Sequence, residues 1–331
     1  MTELRQLDAF RGAVDTIRVV GHRGARGVLP ENSLEGFDFV LSTGVELLEF
    51  DVVLTSDGVP VITHNHRLHA ASFRDMDGHF LRGEEPKVSS LSLQDLRRFD
   101  IGRLDGQSIY GKRFPDQAQM DGVRVPSLDD LLQLVSQPKN QRAHLMLELK
   151  SDPDLAQDPD YRRGLVAEVV GRVRAAGVEN RTLLHSFDWD LLAECQRQAP
   201  DMPTSYLSQM PDNEADLGED SALDITPLFE HDVLSIPGKV KEQGGQLWCP
   251  YYEDITPESL ATARASGVIV VVWTVNEVAD IDRMIDLRVD AICTDYPGRV
   301  QRRLADRGYR WLDDEASASR APVGMCKLTM A

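Results

Sequence analysis

Glu49 and Asp51 lie two residues apart in the apolar run Leu47-Leu48-Glu49-Phe50-Asp51-Val52-Val53-Leu54. In a strand, side chains at i and i+2 share a face, so both acids point one way while Leu48, Phe50 and Val52 take the other. Adjacent buried carboxylates lose hydration and repel each other, and a divalent cation relieves both penalties. Glu148 adds a third acid near the polar end of His144-Leu145-Met146-Leu147-Glu148-Leu149-Lys150. Three carboxylates with no cysteine or histidine triad describe a hard-cation site for Mg2+ or Ca2+, with Glu49, Asp51 and Glu148 as the expected ligands. Two histidines flank the acid pair: His22, closing the run Arg18-Val19-Val20-Gly21-His22-Arg23-Gly24, and His64, in Pro60-Val61-Ile62-Thr63-His64-Asn65. Imidazoles at successive strand ends suit a reaction in which one group takes a proton and another gives one, so both are candidate catalytic residues, with acid and base unassigned.

Buried runs that end in polar residues just before a loop place a site at the carboxyl edge of a parallel sheet or barrel. Asn32-Ser33-Leu34-Glu35 offers a helix start with an acid three residues on, and Leu34, Phe37, Val40 and Leu41 recur at helical spacing up to Gly44. The alternation continues with a helix over 161–176, a strand over 182–187 and a helix over 190–198. Strands follow at 204–207, 233–236 and 246–249, then a helix at 257–266, a strand at 268–273, a helix at 278–287, a strand at 291–294 and a helix at 299–307. About eight strand–helix units predict a (β/α)8 TIM barrel, with a doubly wound open sheet as the structural rival. Residues 66–126, rich in Gly, Asp and Arg and broken by Pro86 and Pro115, interrupt the alternation after the second strand and read as a small inserted subdomain. The expected barrel therefore spans 15–312, and 313–331 reads as a poorly ordered tail.

These motifs, together with Pro30-Glu31-Asn32-Ser33, Thr55-Ser56-Asp57-Gly58, Trp273-Thr274-Val275-Asn276 and Thr294-Asp295-Tyr296-Pro297, resemble the glycerophosphodiester phosphodiesterase family from about residue 18 to about residue 300. Where that family commonly carries Asp after the second histidine, this chain has Asn65. The resemblance implies metal-dependent hydrolysis of a small glycerophosphodiester to glycerol 3-phosphate and an alcohol, with His22 and His64 as the acid–base pair. Arg23 and Lys150 would hold the phosphate, although Lys150 shares a strand face with Glu148 and pairing with that acid is the plainer reading. Trp273 reads as partly core, or as an aromatic at a strand end that lines the pocket floor against the glycerol. Glu31 is either a helix-start acid or a second layer behind the ligands. Asn276, Glu277, His185 and Asp295 lie near comparable strand ends, whereas His66, His69, His79, His144 and His231 read as ordinary histidines. A barrel acting on lysophospholipids, as a lysophospholipase D or phospholipase would, another metal-dependent barrel hydrolase and a non-catalytic barrel that binds a phosphorylated ligand are the alternatives.

With 331 residues and 42% hydrophobic content, one barrel-type domain accounts for the length. A net charge of −18 disfavours nucleic acid and anionic headgroups as partners. It leaves room for a small phosphodiester, because local cations dominate within a Debye length of about 8–10 Å. Cys195, Cys249, Cys293 and Cys326 show no close pairing and read as small buried hydrophobes. No run approaches the roughly 20 apolar residues of a membrane span, and Glu3, Asp8 and Asp15 interrupt any secretory core, so the expected location is cytoplasmic.

Overall fold

The computed structural model describes residues 4–210 and 232–313. Among the described residues nine strands run in chain order as β1 (Arg18–Gly21), β2 (Leu47–Leu54), β3 (Pro60–Ile62), β4 (His144–Leu149), β5 (Thr182–Ser186), β6 (Thr204–Ser208), β7 (Leu247–Pro250), β8 (Ile269–Val272) and β9 (Ala291–Thr294). The α-helices are α1 (Leu34–Ser42), α2 (Leu93–Leu96), α3 (Ile109–Arg113), α4 (Leu128–Val135), α5 (Pro159–Ala175), α6 (Trp189–Gln198), α7 (Ile236–Glu242), α8 (Pro257–Ala265), α9 (Val278–Leu287) and α10 (Pro297–Asp306). Eight strands pair in parallel, and β1 bonds both β9 and β2, which closes the sheet into a barrel and excludes the open-sheet rival. The ninth strand, β3, is antiparallel to the end of β2.

Alternation along each strand builds two cores. Inward-facing Val20, Leu47, Met146, Leu183, Leu247, Ile269, Val271 and Ala291 fill the barrel, and Phe10 from the N-terminal segment packs with them. Outward-facing Leu48, Phe50, Val52, Leu145, Leu147, Leu184, Trp248, Val270 and Ile292 meet the helix faces carrying Leu165, Val169, Leu191, Leu260, Ile281 and Val300. Towards the carboxyl edge the inward positions turn polar on three strands, at Glu49 and Asp51 on β2, Glu148 on β4 and His185 on β5, and the inward Ser205 near the start of β6 adds a hydroxyl. The register makes these neighbours: Asp51 pairs with Glu148, Glu148 with His185, and His185 with Ser205.

The run Val233–Ile236, expected as a strand, is instead a 3₁₀ turn leading into α7. Its apolar residues mimic a buried strand, but the Asp232 carboxylate accepts the Leu234 N–H, Pro237 occupies the first turn, and Ile236 and Val240 bury one helical face. The helix-start signal at Asn32 is also displaced by one residue, since Ser33 caps α1 by accepting the Gly36 N–H. After β3 the chain forms a lobe around Val61, Leu68, Phe73, Leu96, Ile101 and Val125, and a smaller cluster of Ala71, Leu104, Tyr110 and Phe114. His231, residues 314–331 of the expected tail, and Cys326 lie outside the described residues; Cys195, Cys249 and Cys293 are buried free thiols. Among the described residues no helix is long and apolar enough to cross a membrane.

Gly21 ends β1 where the chain turns to present His22, and a Cβ there would lie 2.4 Å from the Gly24 carbonyl oxygen and 3.0 Å from Val40. Backbone on one side and a buried helix on the other leave no room to give. Gly21→Ala should therefore lower stability by about 1–3 kcal/mol in urea titration and reduce turnover with it, because the strained turn carries the site.

Candidate active site

The three predicted acids converge, with one oxygen of each of Glu49, Asp51 and Glu148 within 4.8 Å of the others, and all three side chains are buried. Each is fixed by its own partners. The Arg23 backbone N–H donates to Glu49 Oε2 at 3.1 Å, and Asn32 Nδ2 donates to Asp51 Oδ2 at 2.9 Å. Lys150 Nζ donates to Glu148 Oε1 at 2.9 Å and lies 3.4 Å from Asp51 Oδ1, while Arg23 Nε lies 3.3 Å from Asp51 Oδ2. Glu49 Oε1 is buried with no hydrogen-bond partner, an orphaned oxygen in the middle of an acidic cluster.

The electrostatics show what the cluster lacks. Burial, then Asp51 and Glu148, push the Glu49 carboxyl well above the ordinary range, and burial raises Glu148 to about 7 despite Lys150. Burial also works against Asp51, but His64, Arg23, Lys150 and the Asn32 hydrogen bond outweigh it and hold that carboxyl low. Burial tends to neutralise Lys150 too, yet Glu148 and Asp51 keep it charged. Two of the three acids thus resist ionisation until further positive charge arrives. The orphaned Glu49 oxygen and the all-oxygen donor set fit a hard divalent cation.

His22 Nδ1 lies 2.7 Å from Asp295 Oδ1, and its Nε2 lies 3.8 Å from Glu49 Oε2. Asp295 is fully buried and also accepts from Arg26 at 2.8 and 3.1 Å and from Asn276 Nδ2 at 2.7 Å, while Asn276 Oδ1 takes the Asp295 backbone N–H. A carboxylate cannot donate, so it fixes the proton of neutral His22 on Nδ1 and leaves Nε2 unprotonated. Burial, partly offset by Asp295, lowers the His22 pKa to about 4. The hairpin built on Thr55-Ser56-Asp57-Gly58, with Gly58 at φ 73°, turns β3 back down the barrel rim. His64 therefore arrives on a returning strand and not at the end of a barrel strand. The Thr63 N–H bonds the Asp51 carbonyl at 3.1 Å, and His64 Nδ1 lies 2.6 Å from Asn65 Oδ1.

One cavity unites these groups: His22, Arg23, Glu49, His64, Glu148, Lys150 and Trp273 line it, as do Arg26, Arg113 and His185. Trp273 satisfies its indole N–H on the Cys249 carbonyl at 3.0 Å and packs edge-on against Phe187 at 5.4 Å, giving the cavity an aromatic wall. Glu31 lies 3.6 Å from Arg23 and accepts the Tyr110 hydroxyl, so it stands behind Arg23 and not in the acid cluster. Arg26 and Asn32 were invisible as site residues in the sequence. Asn32, at φ 52°, looked like a cap; its tolerance of the left-handed region is what turns its amide towards Asp51.

The sequence model of the glycerophosphoryl diester phosphodiesterase family matches residues 22–299. Glycerophosphodiester phosphodiesterase of Bacillus subtilis (strain 168) is 25% identical over 302 residues, 89% of this chain and 88% of that protein. The crystal structure of a candidate glycerophosphoryl diester phosphodiesterase from Silicibacter pomeroyi DSS-3 superposes with a TM-score of 0.87 at 52% identity, covering 93% of this chain and 99% of that one. An Oleispira antarctica phosphodiesterase, solved in complex with the product sn-glycerol-3-phosphate, shares the fold with a TM-score of 0.64 at 20% identity, covering 88% of this chain and 97% of its own.

Proposed function

This chain belongs to the glycerophosphoryl diester phosphodiesterase family, and from that membership we propose that it hydrolyses small glycerophosphodiesters to sn-glycerol 3-phosphate and an alcohol, using a divalent cation and two histidines. The observation that carries this reading is the convergence of Glu49, Asp51 and Glu148 beside a cavity that Glu49, Glu148, His22 and His64 line. The product named for the Oleispira antarctica phosphodiesterase agrees with the substrate class.

Glu49, Asp51 and Glu148 would hold the cation, Mg2+ or Ca2+, which supplies Lewis-acid polarisation of the phosphoryl group when bound. His22, neutral and with Nε2 unprotonated, takes the proton of the attacking oxygen, which is either water, giving glycerol 3-phosphate directly, or the neighbouring glycerol hydroxyl, giving a cyclic phosphate that water then opens. His64 gives a proton to the departing alcohol oxygen. Arg23 and Lys150 hold the non-bridging oxygens and offset charge as it grows in the transition state. Trp273, backed by Phe187, covers the carbon face of the glycerol.

A panel of glycerophosphocholine, glycerophosphoethanolamine and lysophosphatidylcholine, each assayed with Mg2+, Ca2+ or EDTA, tests the proposal. We expect glycerol 3-phosphate and free alcohol from the glycerophosphodiesters with a cation, and at least a ~100-fold loss in EDTA, since Lewis-acid stabilisation is worth several kcal/mol. Full activity in EDTA would remove the cation from the reaction, and faster turnover of the acylated substrate would reassign the substrate class.

A further inference from the structure

We propose that His185 is the group that recognises a glycerol hydroxyl, and so selects glycerol-bearing phosphates over other phosphates at this site. The proposal rests on the phosphodiesterase reading given above and adds to it a residue outside the acid cluster and the two histidines. His185 is 2% exposed yet lines the cavity. Register places it next to Glu148, which is itself next to Asp51, so it is the next inward polar group along the barrel wall from the acids. Its Nδ1 lies 2.9 Å from Ser205 Oγ on the following strand, which commits one ring nitrogen of a side chain that lines the cavity and leaves Nε2 for a ligand. Two residues further on, Phe187 closes against Trp273. The wall thus offers one polar ring edge beside an aromatic surface, the pattern that a short polyol presents in reverse, with a hydroxyl on one side and C–H groups on the other.

The charge state suits the task. Burial, reinforced by Lys150, disfavours the charged form of the His185 ring. A neutral imidazole adds no charge to compete with Arg23 and Lys150 for the phosphate. A hydroxyl both donates and accepts, so it complements the ring in whichever tautomer Ser205 selects.

Isothermal titration calorimetry in Mg2+ with sn-glycerol 3-phosphate and with propyl phosphate, which has the same carbon chain but lacks both hydroxyls, isolates this contact. Wild-type protein should prefer glycerol 3-phosphate by about tenfold or more, because a site built to bond a hydroxyl rejects the analogue without it. His185→Leu should lose that preference while its affinity for propyl phosphate stays within about twofold, and His185→Gln should keep part of it by retaining a polar terminus at similar reach. Retention of the full preference by His185→Leu overturns the inference, as does no preference in the wild type or an equal fall in both affinities, which marks a structural role. Failure of wild-type protein to hydrolyse glycerophosphocholine at all is a separate outcome, and it strikes the proposed function instead.

Discussion

Glu148→Gln should lower kcat by about 10³-fold or more, since Lewis-acid stabilisation amounts to several kcal/mol and each 1.36 kcal/mol is a factor of ten. The substitution keeps the shape of the side chain and removes one of three carboxylates whose oxygens lie within 4.8 Å of one another. Two effects of opposite sign act on the cation-free protein. Relief of repulsion lets Glu49 ionise more easily, because Glu148 is among the groups that raise its pKa. Against this, Lys150 exchanges a charged acceptor at 2.9 Å for a neutral amide oxygen and keeps Asp51, at 3.4 Å, as its ionic partner. The cation-free variant should therefore melt close to the parent.

The response to the cation should differ sharply. A ligand that binds only the folded state raises stability by RT ln(1 + [L]/Kd), so added Mg2+ or Ca2+ should raise the parent's Tm, and the same addition should leave Glu148→Gln nearly unmoved. Thermal melts with and without each cation, beside calorimetric Kd values, separate loss of binding from loss of fold. An undiminished Tm response in the variant would remove Glu148 from the ligand set.

The acid cluster was legible because its signal is local. Glu49 and Asp51 occupy alternate positions of an apolar strand, and Glu148 repeats the pattern on another; burial with two-residue spacing leaves one direction for both side chains. Lys150 was legible for the same reason, two residues beyond Glu148 on one face. The role of Asp295 was not. It bonds His22 across 273 residues of chain, and the contact exists only because closure of the barrel sets Gly21 opposite Thr294. No local periodicity carries that information. Arg26 follows from the same closure, since its guanidinium bonds Asp295 and stacks 4.5 Å from the Phe114 ring contributed by the lobe after β3. The barrel itself was readable from its alternation, and the misread segment 233–236 shows the limit of that signal: four apolar residues fit a buried strand and a short helix equally until the turn chemistry of Asp232 and Pro237 decides.

The second large effect lies in the pair His22 and Asp295. His22→Ala should lower kcat by about 10²- to 10⁴-fold if the imidazole is the general base, with little change in cation affinity. Asp295→Asn is the sharper test of how that base is prepared. An amide in place of the carboxylate can offer an N–H to His22 Nδ1, which would move the ring proton to Nε2 and block the base; in hydrolytic triads such a change costs up to ~10⁴ in kcat. The same substitution breaks the fully buried pair with Arg26, so a stability loss of about 3–5 kcal/mol should accompany it. The pH dependence carries a definite sign. Burial alone would raise the Asp295 carboxyl, but Arg26 and His22 outweigh it and hold the folded pKa well below its value in the unfolded chain, about 3.9. Its contribution to stability is then fully present above that unfolded value and is lost as pH falls towards the folded one. Between about pH 5 and pH 2, urea midpoints of the parent should fall more steeply than those of Asp295→Asn, and His22→Ala should retain most of the parent's slope because Arg26 remains. Parallel slopes in all three proteins would show that Asp295 is not held ionised by this pair, and with that the fixed tautomer of His22 would lose its cause.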